Sequence, residues 1–184
     1  MARHGAGLLP AAYALLGLLA AGAAHGYDLH RPFAAGGTLR AVCRLPLNQH
    51  YALLKQLQAR GLVEAGDLET AGVTPPRRPL AITPAGRAVL TAWLAQPVPH
   101  TRDVRLEFLL KLYFAERQAP ATVPALLAAQ VAVTRDSLAR LDSEWIALAD
   151  RAPGDFARRV VDMRLRQNRA VLDWLEDAQR AQAA

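Results

Sequence analysis

Leu127, Val131, Thr134, Leu138, Leu141, Trp145 and Leu148 follow one another at alternate steps of four and three residues. That spacing makes a seven-residue helix seam, and it commits the chain from about Ala121 to Ala149 to one long helix. Pro153 and Gly154 then interrupt it, and a last helix from about Phe156 repeats the stripe in Val161, Leu165, Asn168, Leu172 and Leu175. Two such helices predict an antiparallel hairpin whose stripe needs a partner, either the N-terminal part of the chain or a second copy. Leu127, Leu138, Leu141, Trp145, Leu172 and Leu175 are therefore the expected dimerisation residues. Asn168 could fix the register of a buried seam or face water.

Ala and Leu are abundant and β-branched residues sparse, so the chain reads as mainly α. Its 184 residues suffice for one domain or two small ones. Charge is unevenly spread. Residues 1–100 hold 9 Lys/Arg against 4 Asp/Glu, whereas residues 101–184 hold 13 against 12. A basic excess confined to the first half points to a polyanionic partner there. Cys43 is the only cysteine, so neither an intrachain disulfide nor a Cys-based metal site is expected. The five histidines show no ligand spacing, and no P-loop, GxGxxG or GxSxG occurs. No enzyme, cofactor or metal is expected.

The first half divides into short elements. AYALLGLLAAG (12–22) reads as an apolar helix, and HGYDLHRPF as a second from near His25, bent or shortened by Pro32. AAGGTLRAVCRL could pair briefly as a strand near Val42. PLNQHYALLKQLQARGLV predicts a helix with Pro46 in its first turn, and Leu47, His50, Leu53, Leu54 and Leu57 form its buried stripe. Gly61 caps its end. Asn48, Gln49, Ala52, Lys55 and Gln56 fall outside that stripe. LVEA and PLAIT make a hairpin candidate, with Pro79 holding the second strand to an edge or a later start. Thr83-Pro84 opens a further helix that ends before Pro97. PVPHT is the predicted boundary between domains at 8–97 and 101–180.

Helix, helix, amide-bearing helix, hairpin, helix is the order of a winged helix-turn-helix. A helix entering the major groove must show hydrogen-bonding side chains near its N-terminus, and Asn48 and Gln49 can pair bidentately with adenine. A wing carries cations toward phosphate, and Arg77 and Arg78 are adjacent at the predicted hairpin. At these residues the chain resembles the PadR family of bacterial transcriptional regulators. ALLGLLAAGAAHGYDLHRPF matches the family's opening helices, LNQHYALLKQLQARGLV its recognition helix, and RRPLAITPAGR its passage from wing to helix. RDVRLEFLLKLYFA matches the start of the C-terminal region in the Vir-like branch. The chain departs from the family pattern at Pro46, Leu47 and Pro79.

The resemblance implies a winged helix-turn-helix DNA-binding domain followed by a coiled-coil-like helical dimerisation domain. It also implies a cytoplasmic, homodimeric regulator, a repressor, on a double-stranded, pseudo-palindromic operator, with a small-molecule effector as a further partner and no membrane. By the same resemblance Tyr51 and Lys55 are phosphate contacts or packing and solvated residues, and Trp93 is a core residue or part of an aromatic effector pocket. Two other readings stay open. One is a winged-helix module that binds protein and not DNA. The other is an exported helical protein, since the uncharged run Leu8–Ala24 behind Arg3 has the form of a signal peptide.

Overall fold

The computed structural model describes residues 7–22, 25–67, 78–152 and 154–183. The chain divides into two compact units, one ending at Leu94 and the other beginning at Ala95.

In the first unit, α1 (Pro10–Ala20) starts on a proline, which suits a position where no amide partner is needed. Ala12, Ala14, Leu15, Leu16 and Leu19 are buried, covering more than one face. A helix apolar nearly all round must be central, and α1 packs against α3, β2 and α4. Residues Pro10–Ala20 of the run that reads as an export signal thus form a core helix of this unit. Next, α2 (Gly26–His30) tightens at once into the 3-10 turn Arg31–Phe33, the shortening expected of Pro32. The strand expected near Val42 is absent, because Val42 lies in a turn held by its amide on the Leu39 carbonyl at 3.0 Å. The segment works instead by burying Leu39, Cys43 and Leu45.

The third helix, α3 (Leu47–Ala59), buries His50, Leu53, Leu54 and Leu57. Leu47 is not part of that stripe. It is half exposed, because it opens the helix before the buried face has come round to the core. Pro46 sits just before the first turn and accepts the His50 amide at 2.9 Å. The helix ends in a Schellman motif: Leu62 N–H reaches the Leu57 carbonyl and Gly61 N–H that of Gln58, with Gly61 at φ +67°.

This turn delivers the chain into β1 (Val63–Ala65), which pairs antiparallel with β2 (Leu80–Ile82), Val63 opposite Ile82. Pro79 accepts the Gly66 amide through its carbonyl just outside the ladder, so the strand starts after it. Thr83 then works in both directions. Its hydroxyl donates to the Gly61 carbonyl at 2.8 Å and accepts the Gly86 amide at 3.0 Å, capping α4 (Pro84–Leu94).

The second unit begins with a segment clasped by side chains. Buried Gln130 accepts the Val98 amide at 2.7 Å and donates to the Val98 carbonyl at 3.1 Å. Lys111, also buried, donates to the Gln96 carbonyl and pairs with Glu107 at 3.1 Å. There follow α5 (Thr101–Asp103), a π turn (Val104–Phe108) and α6 (Leu109–Gln118).

A 3-10 turn (Pro120–Thr122) leads into α7 (Val123–Ala147), and α8 (Phe156–Ala183) completes the unit. Arg135–Glu176, Arg169–Asp142 and Arg164–Glu144 pair across α7 and α8, and their reversed order shows the helices to be antiparallel. The predicted stripes close on each other. Leu127, Val131 and Leu175 share one apolar cluster, with Leu172 packed against it; Leu141, Val161 and Leu165 form another, flanked by Leu138, Trp145 and Leu148. Asn168 is buried between the stripes, accepting from the Thr101 hydroxyl at 2.5 Å and donating to the Arg164 carbonyl at 2.8 Å. Asp155 caps α8 through the amides of Ala157 and Arg158.

Candidate nucleic-acid interface

Burial of His50, Leu53 and Leu57 on one side of α3 turns Asn48, Gln49, Tyr51, Ala52 and Lys55 outward. Asn48, Tyr51 and Lys55 are three and four residues apart and so share one helix surface. The Asn48 carboxamide oxygen accepts the Gln49 amide at 2.9 Å, leaving its NH2 as the donor to a ligand. The Tyr51 ring lies beside Gly26, where a Cβ would come within 3.4 Å of it, and edge-on to His50 at 5.2 Å. It is nevertheless 51% exposed, so packing and an outward hydroxyl are compatible.

Two histidines brace this helix against the chain before it. A His50 ring nitrogen lies 2.9 Å from the Gly26 carbonyl at the start of α2, and a His30 ring nitrogen lies 3.0 Å from the Leu45 carbonyl just ahead of α3. The two rings meet edge to face at 5.2 Å. Burial pushes the His50 imidazole below its usual range; the Gly26 bond opposes that shift and His30 adds to it. The sequence shows His50 only as a stripe position. Its partner is 24 residues away, and no local spacing announces it.

Arg78 is exposed directly before Pro79 and β2, whereas Arg77 lies outside the described residues. Lys55, Arg44, Arg78 and Arg87 have no ion pair among the described residues. The arginines of α7 and α8, by contrast, are repeatedly neutralised by carboxylates. Part of the charge bias of the sequence is thus a set of cations on the first unit that have no ion pair among the described residues. Trp93 is buried and stacks on Tyr13 at 4.5 Å and 3° between planes.

A winged helix-turn-helix with an outward polar α3, followed by a helical region, defines a class of transcription regulator. Residues 15–92 match the model of the transcriptional regulator PadR-like family, and residues 104–181 match the virulence activator alpha C-term model. Together these cover most of the chain, which thus carries a PadR-like domain followed by a virulence-activator C-terminal domain; the PadR-like family is one of transcriptional regulators, not of enzymes. Among solved structures, the chain is similar to Bacillus subtilis PadR in complex with operator DNA, with 26% identity over 93% of this chain and 98% of that one, TM-score 0.43. It is also similar to the Vibrio cholerae virulence activator AphA, with 26% identity over 93% and 96% of the two chains, TM-score 0.39. A PadR-like regulator from Bacillus cereus, BC1756, is 19% identical over 97% and 98%, TM-score 0.42. Comparison with curated proteins found no match.

Proposed function

We propose that this PadR-like regulator is a repressor that binds a pseudo-palindromic operator as a homodimer, in the cytoplasm, and answers to a small-molecule effector. The observation that carries the reading is α3: its apolar stripe is fully occupied by the core, and its other surface presents Asn48, Gln49, Tyr51 and Lys55. Two such helices would enter successive major grooves about 34 Å apart. Asn48 and Gln49 read bases; Tyr51, Lys55, Arg77 and Arg78 hold phosphates. Leu47, exposed at the helix start, offers an apolar contact to a thymine methyl.

Dimerisation falls to the helical unit. Leu127, Leu141 and Leu175 are buried by the chain's own hairpin. A second copy would therefore meet the partly exposed positions, Leu138, Trp145 and Leu172, together with exposed Ile146 and Phe156. Trp93, already stacked on Tyr13, contributes packing to the first unit. No helix among the described residues is long and apolar enough to cross a membrane.

Selection of bound duplexes from random DNA tests the reading. Enrichment of an inverted repeat supports it; a folded chain that enriches no sequence contradicts it. Repression is checked by placing the enriched repeat across a promoter, where added protein should lower transcription and an increase would make it an activator.

A further inference from the structure

Of the chain's 22 lysines and arginines, 20 are arginine and only Lys55 and Lys111 are lysine. The two residue types differ in chemistry as well as shape. A guanidinium keeps its proton and does not act as a nucleophile, whereas a lysine amine that sheds its proton can take an acyl group. The two lysines are placed oppositely. Lys111 is 2% exposed, its Nζ donating to the Gln96 carbonyl at 2.8 Å and lying 3.1 Å from Glu107. An acyl donor reaches it only if the helical unit opens. Lys55 is exposed on the outward side of α3, with no hydrogen bond or ion pair among the described residues.

Cys43, the chain's one thiol, does not compete. It is buried, and burial pushes its thiol up, so little of the nucleophilic thiolate forms. The chain therefore has a single accessible side-chain amine, and it stands on the surface assigned to DNA. The neighbours of that amine suit a phosphate. Tyr51 lies four residues before Lys55 and is half exposed, and Asn48, one turn further back, has its NH2 free because its oxygen already accepts the Gln49 amide. Hydroxyl and amide donors of this kind hold phosphate oxygens. A surface that holds the phosphate of a backbone can equally hold a phosphate that is a leaving group.

We propose that Lys55 is a modification site, which takes an acyl group from an acyl phosphate and thereby weakens DNA binding. The unprotonated Nζ attacks the acyl carbon. The C–N bond forms as the C–O bond to phosphate breaks, phosphate leaves with the electron pair, and the proton shed by the nitrogen goes to it. The amide left on Lys55 carries no charge, so α3 loses one phosphate contact and the counterion release that goes with it. Asn48 and Gln49 keep their base-reading groups. A duplex lying on α3 would in turn shield Lys55 from the donor. The modification itself rests on the exposed amine; its effect on binding deepens the DNA-binding reading and rests on it.

Incubation of the full chain with acetyl phosphate, followed by mass spectrometry of its peptides, tests the site. In folded chain Lys55 should be acetylated at least about 100-fold faster than Lys111, and in urea the difference should vanish. A saturating duplex should slow the reaction at Lys55 at least about tenfold. Acetylated wild type should lose about tenfold in affinity for the selected repeat and for a scrambled duplex alike, with the log–log salt slope falling by about one for each α3 bound. The same treatment should leave Lys55→Arg at its own untreated affinity. Equal acetylation of the two lysines in folded chain, or an unmodified Lys55 beside an acetylated α-amine, overturns the proposal. So does a Lys55 that a saturating duplex fails to protect, or an acetylated chain whose affinity and salt slope are unchanged. A loss confined to the repeat overturns it too, since removing a phosphate contact weakens every sequence. A chain that enriches no repeat, yet is acetylated at Lys55 and then loses its affinity for the scramble, keeps this proposal and loses the operator reading.

Discussion

A methyl group at Gly86 would run into the carbonyl of Leu62, the point at which α4 crosses the exit from α3. In an exposed helix, Gly→Ala gains about 1 kcal/mol; here the overpacking term dominates. Gly86→Ala should lower the unfolding free energy by about 2 kcal/mol, checked by urea denaturation. His50 makes a prediction in pH. Burial first, and His30 after it, hold its folded form neutral. As pH falls below about 6.5 the unfolded chain takes up a proton that the folded chain resists, so stability present above that pH is lost, by up to about 1.4 kcal/mol per pH unit. Thermal unfolding between pH 7.5 and 5.5 should show the fall, and His50→Gln, which keeps a donor for the Gly26 carbonyl, should flatten it.

Among the elements, the clasp on the segment entering the helical unit and the two seams give contrasting expectations. Gln130→Ala would orphan both the amide and the carbonyl of Val98, which is 0% exposed. Leaving such groups unsatisfied costs about 1–3 kcal/mol, measurable as a lower denaturation midpoint. Leu141→Ala should cost about 2–5 kcal/mol, whereas Ile146→Ala, at a position 72% exposed, should cost the monomer under about 0.5 kcal/mol. The seams, the α3 stripe, Thr83 as a cap and Gly61 as a terminator are legible in the sequence because each is a pattern within a few residues. The Gln130 clasp spans 32 residues and the Asn168–Thr101 bond 67, so no local spacing encodes them. The expected strand at Val42 fails for a related reason: β propensity needs a partner strand, and this segment spends its amides on turns. The π turn likewise leaves no mark on the periodicity of RDVRLEFLLKLYF.

For the molecule as a whole, the distribution of charge matters more than its sum. Arg135, Arg164 and Arg169 of the helical unit are paired across α7 and α8, whereas Lys55, Arg44, Arg78 and Arg87 of the unit bearing α3 have no ion pair among the described residues. The outward set on α3 is readable from sequence because burying one helix face determines the other. Which of its members meets a base is not, since that depends on how the helix lies in a groove. The most direct test is the affinity of wild-type chain and of Asn48→Ala/Gln49→Ala for the selected inverted repeat and for a scrambled duplex, each titrated against salt. Binding to both duplexes should weaken steeply with salt as phosphate contacts release counterions. The double variant should lose at least about 30-fold on the repeat, in keeping with about 1–3 kcal/mol for each of the two bidentate base contacts, and almost nothing on the scramble. Equal affinity for repeat and scramble in the wild type, or an undiminished preference in the variant, would contradict the assignment of α3 as the element that reads DNA.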